Sequence, residues 1–175
     1  MKKIMFVFVL VLVFGVRVSA QTFVESQNEL VTTGITPTID AQVVKSGKKV
    51  DLTAWFLVTD KWGEGLLGVS KSLKPWLWVG VVAGIETDRR PWRISPEVWA
   101  GKNRVSFYFV TEHGGSGYWY KSTGLVNVTR RIAFGYHTQR FYGTGPMMKV
   151  DLGRGLAVWA STADRKARTG LIKTF

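Results

Sequence analysis

Apolar and polar residues alternate along most of the chain after residue 21. In residues 76–87 every second position from Leu77 to Ile85 is apolar, opposite a mixed face that includes Trp78 and Glu86. The same alternation occurs in residues 48–59, 103–112 and 131–141, and weaker runs fill the stretches between them. A period of two residues, interrupted by Gly, Pro, Asn and Asp, is typical of β-strands and turns. The sequence therefore predicts an all-β fold.

The segments that connect these runs are short, as at Ser46-Gly47, Lys74-Pro75 and Gly153-Arg154. A parallel crossover needs a dozen or more residues, so strands joined by such turns are antiparallel neighbours. A long meander protects its edges most simply by closing on itself. We predict an antiparallel up-and-down β-barrel of about ten strands, within a range of about 8–12.

The first twenty residues have a different pattern. Met1-Lys2-Lys3 is basic, Ile4 to Val16 is apolar, and Val18-Ser19-Ala20 offers the small residues of a cleavage site. The apolar run is shorter than the ~20 residues that a spanning helix needs, which favours a cleaved secretory signal peptide. The predicted organisation is a signal peptide at residues 1–20, a flexible lead-in at 21–30 and a single β-barrel domain at 31–175.

Composition narrows the chemistry. The chain has no Cys, which excludes disulfides, zinc–thiolate sites, iron–sulfur clusters and a Cys nucleophile. Its net charge is +12, and removing the signal peptide with Lys2, Lys3 and Arg17 lowers it to +9. Export and the position of the basic clusters in turns argue against nucleic acid as a partner. We expect a lipid bilayer as the partner, with anionic lipid or lipopolysaccharide headgroups against the basic turns.

Alternation alone is compatible with two orientations of the barrel wall. A soluble barrel has its apolar face inside, whereas a membrane barrel has its apolar face toward lipid and its polar face toward the lumen. Acidic and basic residues are close to balanced on the polar faces, as a narrow lumen requires, because an unpaired buried charge is expensive. We therefore predict the membrane orientation, with Arg104 and Glu112 as a buried ion pair.

Two sets of residues follow from this orientation. The predicted polar network of the lumen comprises Asp51, Glu86, Glu97, Arg104, Tyr108, Glu112, Arg131 and His137, with Trp55 and Trp78 beside it. The residues predicted to face lipid are Leu52, Phe56, Val79, Val81, Phe107, Phe109 and Phe134.

Aromatic residues recur near the strand ends, as at Trp62, Trp76 and Tyr142, and the last residue is Phe175. With the signal peptide and the antiparallel meander, the chain resembles bacterial outer-membrane β-barrel proteins. In that class the last strand carries an assembly signal, and Arg168, Gly170 and Phe175 fall at matching places. Lys173 departs from the pattern, because a hydrophobic residue is expected there. The resemblance implies a location in the outer membrane and an assembly signal that includes Gly170 and Phe175.

The sequence offers little for catalysis or metal binding. A metal site needs three or four convergent ligands, and the two histidines, His113 and His137, lack such partners in the sequence. Some outer-membrane barrels are lipid A deacylases with a His and a Ser two residues apart, but here Gln139 stands at the place of the Ser. A triad of Ser106, His137 and Glu112 is possible in a barrel, yet no spacing selects it. We predict no catalytic residue, metal or cofactor.

The function expected from these patterns is that of a small outer-membrane barrel with a structural, surface-interaction or narrow-pore role. The alternative is a soluble secreted β-barrel or β-sandwich that binds a small ligand or carbohydrate. In that alternative Trp76, Trp78, Trp99 and Trp119 would serve as stacking surfaces.

Overall fold

The computed structural model describes residues 22–31 and 34–175, and the predicted signal peptide lies outside these residues. The described part of the chain is a closed antiparallel barrel of twelve strands, each paired with its neighbours in sequence, and β1 pairs with β12 to close the wall. The strands are β1 (Phe23–Val31), β2 (Gly34–Lys45), β3 (Asp51–Thr59), β4 (Gly63–Lys74), β5 (Leu77–Glu86), β6 (Trp92–Lys102), β7 (Val105–Gly114), β8 (Gly117–Asn127), β9 (Ile132–Gln139), β10 (Gly143–Gly153), β11 (Leu156–Ala163) and β12 (Lys166–Thr174). Within these residues no α-helix has the length and apolarity to cross a bilayer.

The all-β antiparallel barrel is confirmed, but it has twelve strands and not about ten. One additional strand, β1, lies in the segment predicted as a lead-in. Its register places Glu25, Gln27 and Glu29 on the inner face and polar residues such as Ser26 and Asn28 on the outer face. Because both faces of β1 are largely polar, the strand has no hydrophobic alternation. It is ordered by main-chain pairing to β2 and β12.

The wall has its apolar side outward. Phe107, Phe134 and Val81 lie on the outer face and are 38%, 49% and 42% exposed. On the inner face Trp55 and Trp78 are each only 3% exposed. This arrangement matches a barrel in lipid and opposes a soluble barrel, in which the apolar side chains would meet inside.

The two ends of the barrel are distinguished by the strand ends and turns that lie there. The end that holds Phe23, Thr174 and the turns after the even-numbered strands is called here the terminal end, and the other is called the opposite end. Connections at both ends have at most five residues. The β11–β12 turn consists of Asp164 and Arg165, with φ of 46° and 63°, the left-handed pair that suits a two-residue hairpin.

Glycines on the inner face give aromatic rings room to lie flat along the wall. A Cβ at Gly170 would come within 2.3 Å of Trp159 Nε1, so the indole covers this glycine. Gly101 is covered in the same way by Trp99, with 2.4 Å to Cζ2. Aromatic–glycine packing of this kind fixes the position of large side chains in a β-barrel.

We expect Gly170→Ala to lower the free energy of unfolding by about 1–3 kcal/mol, the usual cost of overpacking, because the new methyl group displaces the Trp159 indole. Urea unfolding of the folded barrel in detergent, followed by tryptophan fluorescence, measures this loss. Gly65→Ala is the matched control, since its Cβ meets only the Phe56 ring at an ordinary 3.7 Å. Equal unfolding midpoints for the two variants would contradict the packing role of Gly170.

Candidate functional site in the barrel lumen

Lys121 of β8 crosses the middle of the lumen. Its ammonium nitrogen lies 3.4 Å from Glu25 Oε2 and 3.8 Å from Asp40 Oδ2. β8 and β2 are six strands apart in either direction around the ring of twelve, so Lys121 and Asp40 stand on opposite walls. The exposed fractions of Lys121, Glu25 and Asp40 are 8%, 4% and 1%. A single side chain therefore bridges the lumen and neutralises charge on the far side.

A second bridge lies beside the first. Gln42 Nε2 of β2 donates a hydrogen bond of 2.9 Å to Glu97 Oε1 of β6, four strands away. The Tyr108 hydroxyl donates to the other oxygen of the same carboxylate at 3.0 Å. Glu97 has both oxygens bonded, and the chain Gln42–Glu97–Tyr108 closes another part of the lumen cross-section. We call the two bridges together the constriction; it comprises Glu25, Asp40, Gln42, Glu97, Tyr108 and Lys121.

Arg93 of β6 occupies a pocket of carboxylates nearer the opposite end. Its Nε lies 2.6 Å from Glu86 Oε2, 3.1 Å from Glu64 Oε2 and 3.4 Å from Glu112 Oε2. Ser116 donates to Glu86 through its backbone N–H at 2.8 Å and through its hydroxyl at 3.0 Å. All four charged groups are buried. One guanidinium therefore holds together three carboxylates from the neighbouring strands β4, β5 and β7.

A third group lines the wall where the barrel closes. Arg168 of β12 donates to Glu29 of β1 and to Gln139 of β9. Lys166 Nζ lies 3.4 Å from Glu29 Oε1. The Trp159 indole N–H donates to Glu25, which connects this wall to the constriction. These contacts supplement the main-chain pairing of β1 with β12.

His137 is fully buried on the inner face of β9. Its ring stacks on Trp159 with centroids 5.6 Å apart and meets Tyr142 edge-on at 5.5 Å. Neither ring nitrogen forms a hydrogen bond with the residues that the structure describes. The triad of Ser106, His137 and Glu112 is therefore not assembled in this structure, and His137 packs as an aromatic side chain.

Several predicted lumen residues lie at the terminal end of the barrel and not in the contact groups deeper in the lumen. Arg104 and Arg131 lie in turns at the terminal end and are exposed. Asp51 lies at the start of β3, where its Oδ1 accepts the Gly47 N–H at 3.1 Å. The expected pair of Arg104 with Glu112 is wrong, because Glu112 is near the far end of β7 and contacts Arg93 instead. Alternation identifies the face of a residue but not its depth in the barrel.

Glu86, Glu97, Tyr108, Glu112 and His137 do point into the lumen, where they belong to three separate contact groups instead of one network. The cations that organise these groups, Lys121 and Arg93, were absent from the predicted network. Their position on the polar faces was visible in the sequence. Their partners were not, because those depend on which strands meet across the lumen.

The residues predicted to face lipid all lie on the outer face. Leu52, Val81, Phe107 and Phe134 are exposed on the outer face, and the remaining three of that set, Phe56, Val79 and Phe109, are half-buried there. Phe175 follows β12, and its N–H donates to the Thr22 carbonyl at 3.0 Å. Gly170 lies on the inner face beneath Trp159. The role of Gly170 and Phe175 in assembly stays a prediction.

Two cavities open on either side of the constriction. The terminal-end vestibule has a volume of about 410 Å³ and is lined by residues of β6 to β10, among them Trp99, Asn127 and Lys149. The opposite-end vestibule, about 390 Å³, reaches Asp40, Arg93 and Lys121. The two cavities share no lining residue. In the described residues no group of three or more His, Asp or Glu side chains is arranged to hold a metal ion.

We expect Arg93→Met to lower the free energy of unfolding by about 3–5 kcal/mol, the range for breaking a buried ion pair, because three buried carboxylates would lose their common cation. Adding Glu112→Gln to that variant should restore part of the loss by removing one of the repelling charges. Arg104→Ala, at an exposed turn, is the control and should unfold at nearly the wild-type urea concentration. If Arg93→Met and Arg104→Ala unfolded alike, the cluster would not contribute to stability.

Comparison with known proteins yields fold likenesses only. No family model and no curated protein matches the sequence. Among solved structures, the KdgM porin in complex with disordered oligogalacturonate has 10% identity and a TM-score of 0.60 over 87% of this chain and 99% of that chain. The NanC porin is similar with 7% identity and a TM-score of 0.52, over 88% of this chain and 99% of that chain. The outer-membrane protein Omp33 of Acinetobacter baumannii is similar with 13% identity and a TM-score of 0.54, over 89% of this chain and 98% of that chain. The chain has the architecture of bacterial outer-membrane β-barrel proteins, as predicted from its sequence, and this architecture supports the outer membrane as its location.

Proposed function

We propose that this protein is a narrow outer-membrane pore that the constriction holds closed in the present structure. The observation that carries the proposal is the bridge from Lys121 to Glu25 and Asp40, which spans opposite walls at the middle of the lumen. The opposite-end vestibule reaches that bridge at Asp40 and Lys121, and the terminal-end vestibule lies on its other side.

The polarity of the constriction favours a pore over a purely structural barrel. A packed apolar interior stabilises a closed barrel without the desolvation cost of buried ions, which is several kcal/mol per ion. Here the closing groups are a lysine and a glutamine, whose side chains have several rotatable bonds. Charged side chains that meet at a narrow point control passage in many channels.

The fold likenesses agree with this proposal. KdgM and NanC are described as porins, and one KdgM structure is a complex with disordered oligogalacturonate. For this chain we infer transport of small polar solutes at most, because its lumen is bridged at the centre. The expected contact of its basic turns with anionic lipid or lipopolysaccharide headgroups remains a prediction beside this one.

The pore proposal is tested by single-channel recording in planar bilayers. Lys121→Met should raise the conductance severalfold and shift the reversal potential in a salt gradient toward cation preference, because Glu25 and Asp40 lose their counter-charge and attract water and cations. Lys121→Gln serves as a second variant that keeps polarity and similar length.

Lys61→Met, at an exposed turn of the opposite end, is the matched control and should keep the small wild-type conductance. If both Lys121 variants conducted like the wild type while folded, the constriction would not control passage. Absence of conductance in all variants would favour a structural role.

A further inference from the structure

The terminal end carries a concentration of basic residues that the pore proposal does not use. The basic residues in its turns and adjoining strand ends are Lys45, Lys48, Lys49, Lys74, Lys102, Arg104, Arg130, Arg131, Arg154 and Lys173. The acidic residues of the same segments are Asp51 and Asp151. The turns of the opposite end, in contrast, mix Asp60, Asp88 and Asp164 with their Lys and Arg residues. The excess of positive charge is therefore larger at the terminal end.

Part of this charge converges on the terminal-end vestibule. Lys102, Arg130, Arg131 and Lys149 line the cavity of about 410 Å³. None of the four forms an ion pair with a carboxylate among the residues that the structure describes. Asp151 also lines the cavity, but its Oδ1 accepts the Gly153 N–H at 2.6 Å and so holds its own turn. Four positive charges around one cavity repel each other, and a bound anion would offset this repulsion.

The turn that carries the two arginines is fixed by its own hydrogen bonds. The Thr129 hydroxyl accepts the N–H groups of Arg131 at 3.1 Å and Ile132 at 3.0 Å. The Val128 N–H donates to the Ile132 carbonyl at 2.9 Å, and the Asp151 N–H donates to the Arg131 carbonyl at 2.7 Å. The backbone beneath both guanidinium groups is therefore positioned before any ligand binds, which lowers the entropic cost of binding.

The chemistry of the lining indicates the class of ligand. A guanidinium group forms two parallel hydrogen bonds with a phosphate or carboxylate, and lysines add unoriented positive charge. Asn103 and Asn127 offer amide groups beside these cations. The lining has four cations and one carboxylate, Asp151, which already accepts the Gly153 N–H. Such a lining suits an anion with two or more negative charges. A lipid headgroup is a poorer fit, since the cavity also reaches inner-wall residues such as Leu125 and Ala133.

We propose that the terminal-end vestibule is a binding site for a small polyvalent oxyanion, held by Arg130, Arg131, Lys102 and Lys149. The site goes beyond the pore proposal and does not require the barrel to conduct, because binding at this mouth takes place on one side of the constriction. A failure of either proposal therefore leaves the other testable.

Isothermal titration calorimetry with inorganic pyrophosphate tests the site on the folded barrel in zwitterionic detergent at about 0.1 M salt, where the Debye length is ~10 Å. The wild type should bind one equivalent. The double variant R130Q/R131Q should lose at least about tenfold in affinity, as expected when charge-assisted hydrogen bonds are removed. K48Q/K49Q removes the same charge from the same end but outside the cavity, in the β2–β3 turn on the other side of the ring from the β8–β9 turn. It should lose less than about twofold, because salt screens exposed charges that are more than about a Debye length apart.

Three outcomes would overturn the proposal. The first is no saturable binding by the wild type, and the second is an equal loss in the two double variants, which would indicate general attraction to a basic rim. The third uses nanodiscs. Loss of pyrophosphate binding in nanodiscs of phosphatidylglycerol, but not of phosphatidylcholine, would show that a lipid headgroup occupies the cavity. Equal binding in both nanodiscs supports a soluble oxyanion. A folded R130Q/R131Q barrel, verified by its shift on unboiled gels, is required for each comparison.

Discussion

The structure depends on one constraint: the carboxylates buried inside a wall that is apolar outside must each be held by an ion pair or by hydrogen bonds. Buried carboxylates from several strands face a lumen of little width, and an unpaired buried charge costs several kcal/mol. Lys121 and Arg93 meet this need in different ways. Arg93 gathers three carboxylates from adjoining strands, whereas Lys121 reaches across to the opposite wall. The position of these two cations determines which part of the lumen is closed and which part stays open.

This distribution of charge connects stability to function. The contacts around Arg93 hold neighbouring strands together and leave the centre free. The Lys121 contacts join walls that the backbone does not join, so they stabilise the barrel and obstruct it at the same point. At the terminal end basic residues predominate, and the four that line its vestibule form no ion pair among the described residues. An interior richer in carboxylates and a mouth richer in cations give the barrel a permanent electrical polarity along its axis.

The sequence was most informative where one face of a strand is uniformly apolar, as in β5 and β7, since such alternation identifies the strand and separates its two faces. The sequence pattern did not predict β1, because Glu25 and Gln27 alternate with Ser26 and Asn28 and neither face of the strand is apolar. The strand exists because two neighbours supply hydrogen-bonding partners, which no local pattern records. The ion pairs could not be predicted from the sequence either. Arg104 and Glu112 share a polar face in sequence but lie at different ends of β7, and contacts across a barrel follow from the tilt and stagger of its strands.

The brevity of the connections at both rims has a consequence of its own. No linker between the described strands is longer than five residues, so both rims carry only short turns. Antibodies, phage fibres and proteases usually bind protruding loops, and here they would have only short hairpin turns to bind. A macromolecule that recognises either rim would therefore contact short turns and not long loops.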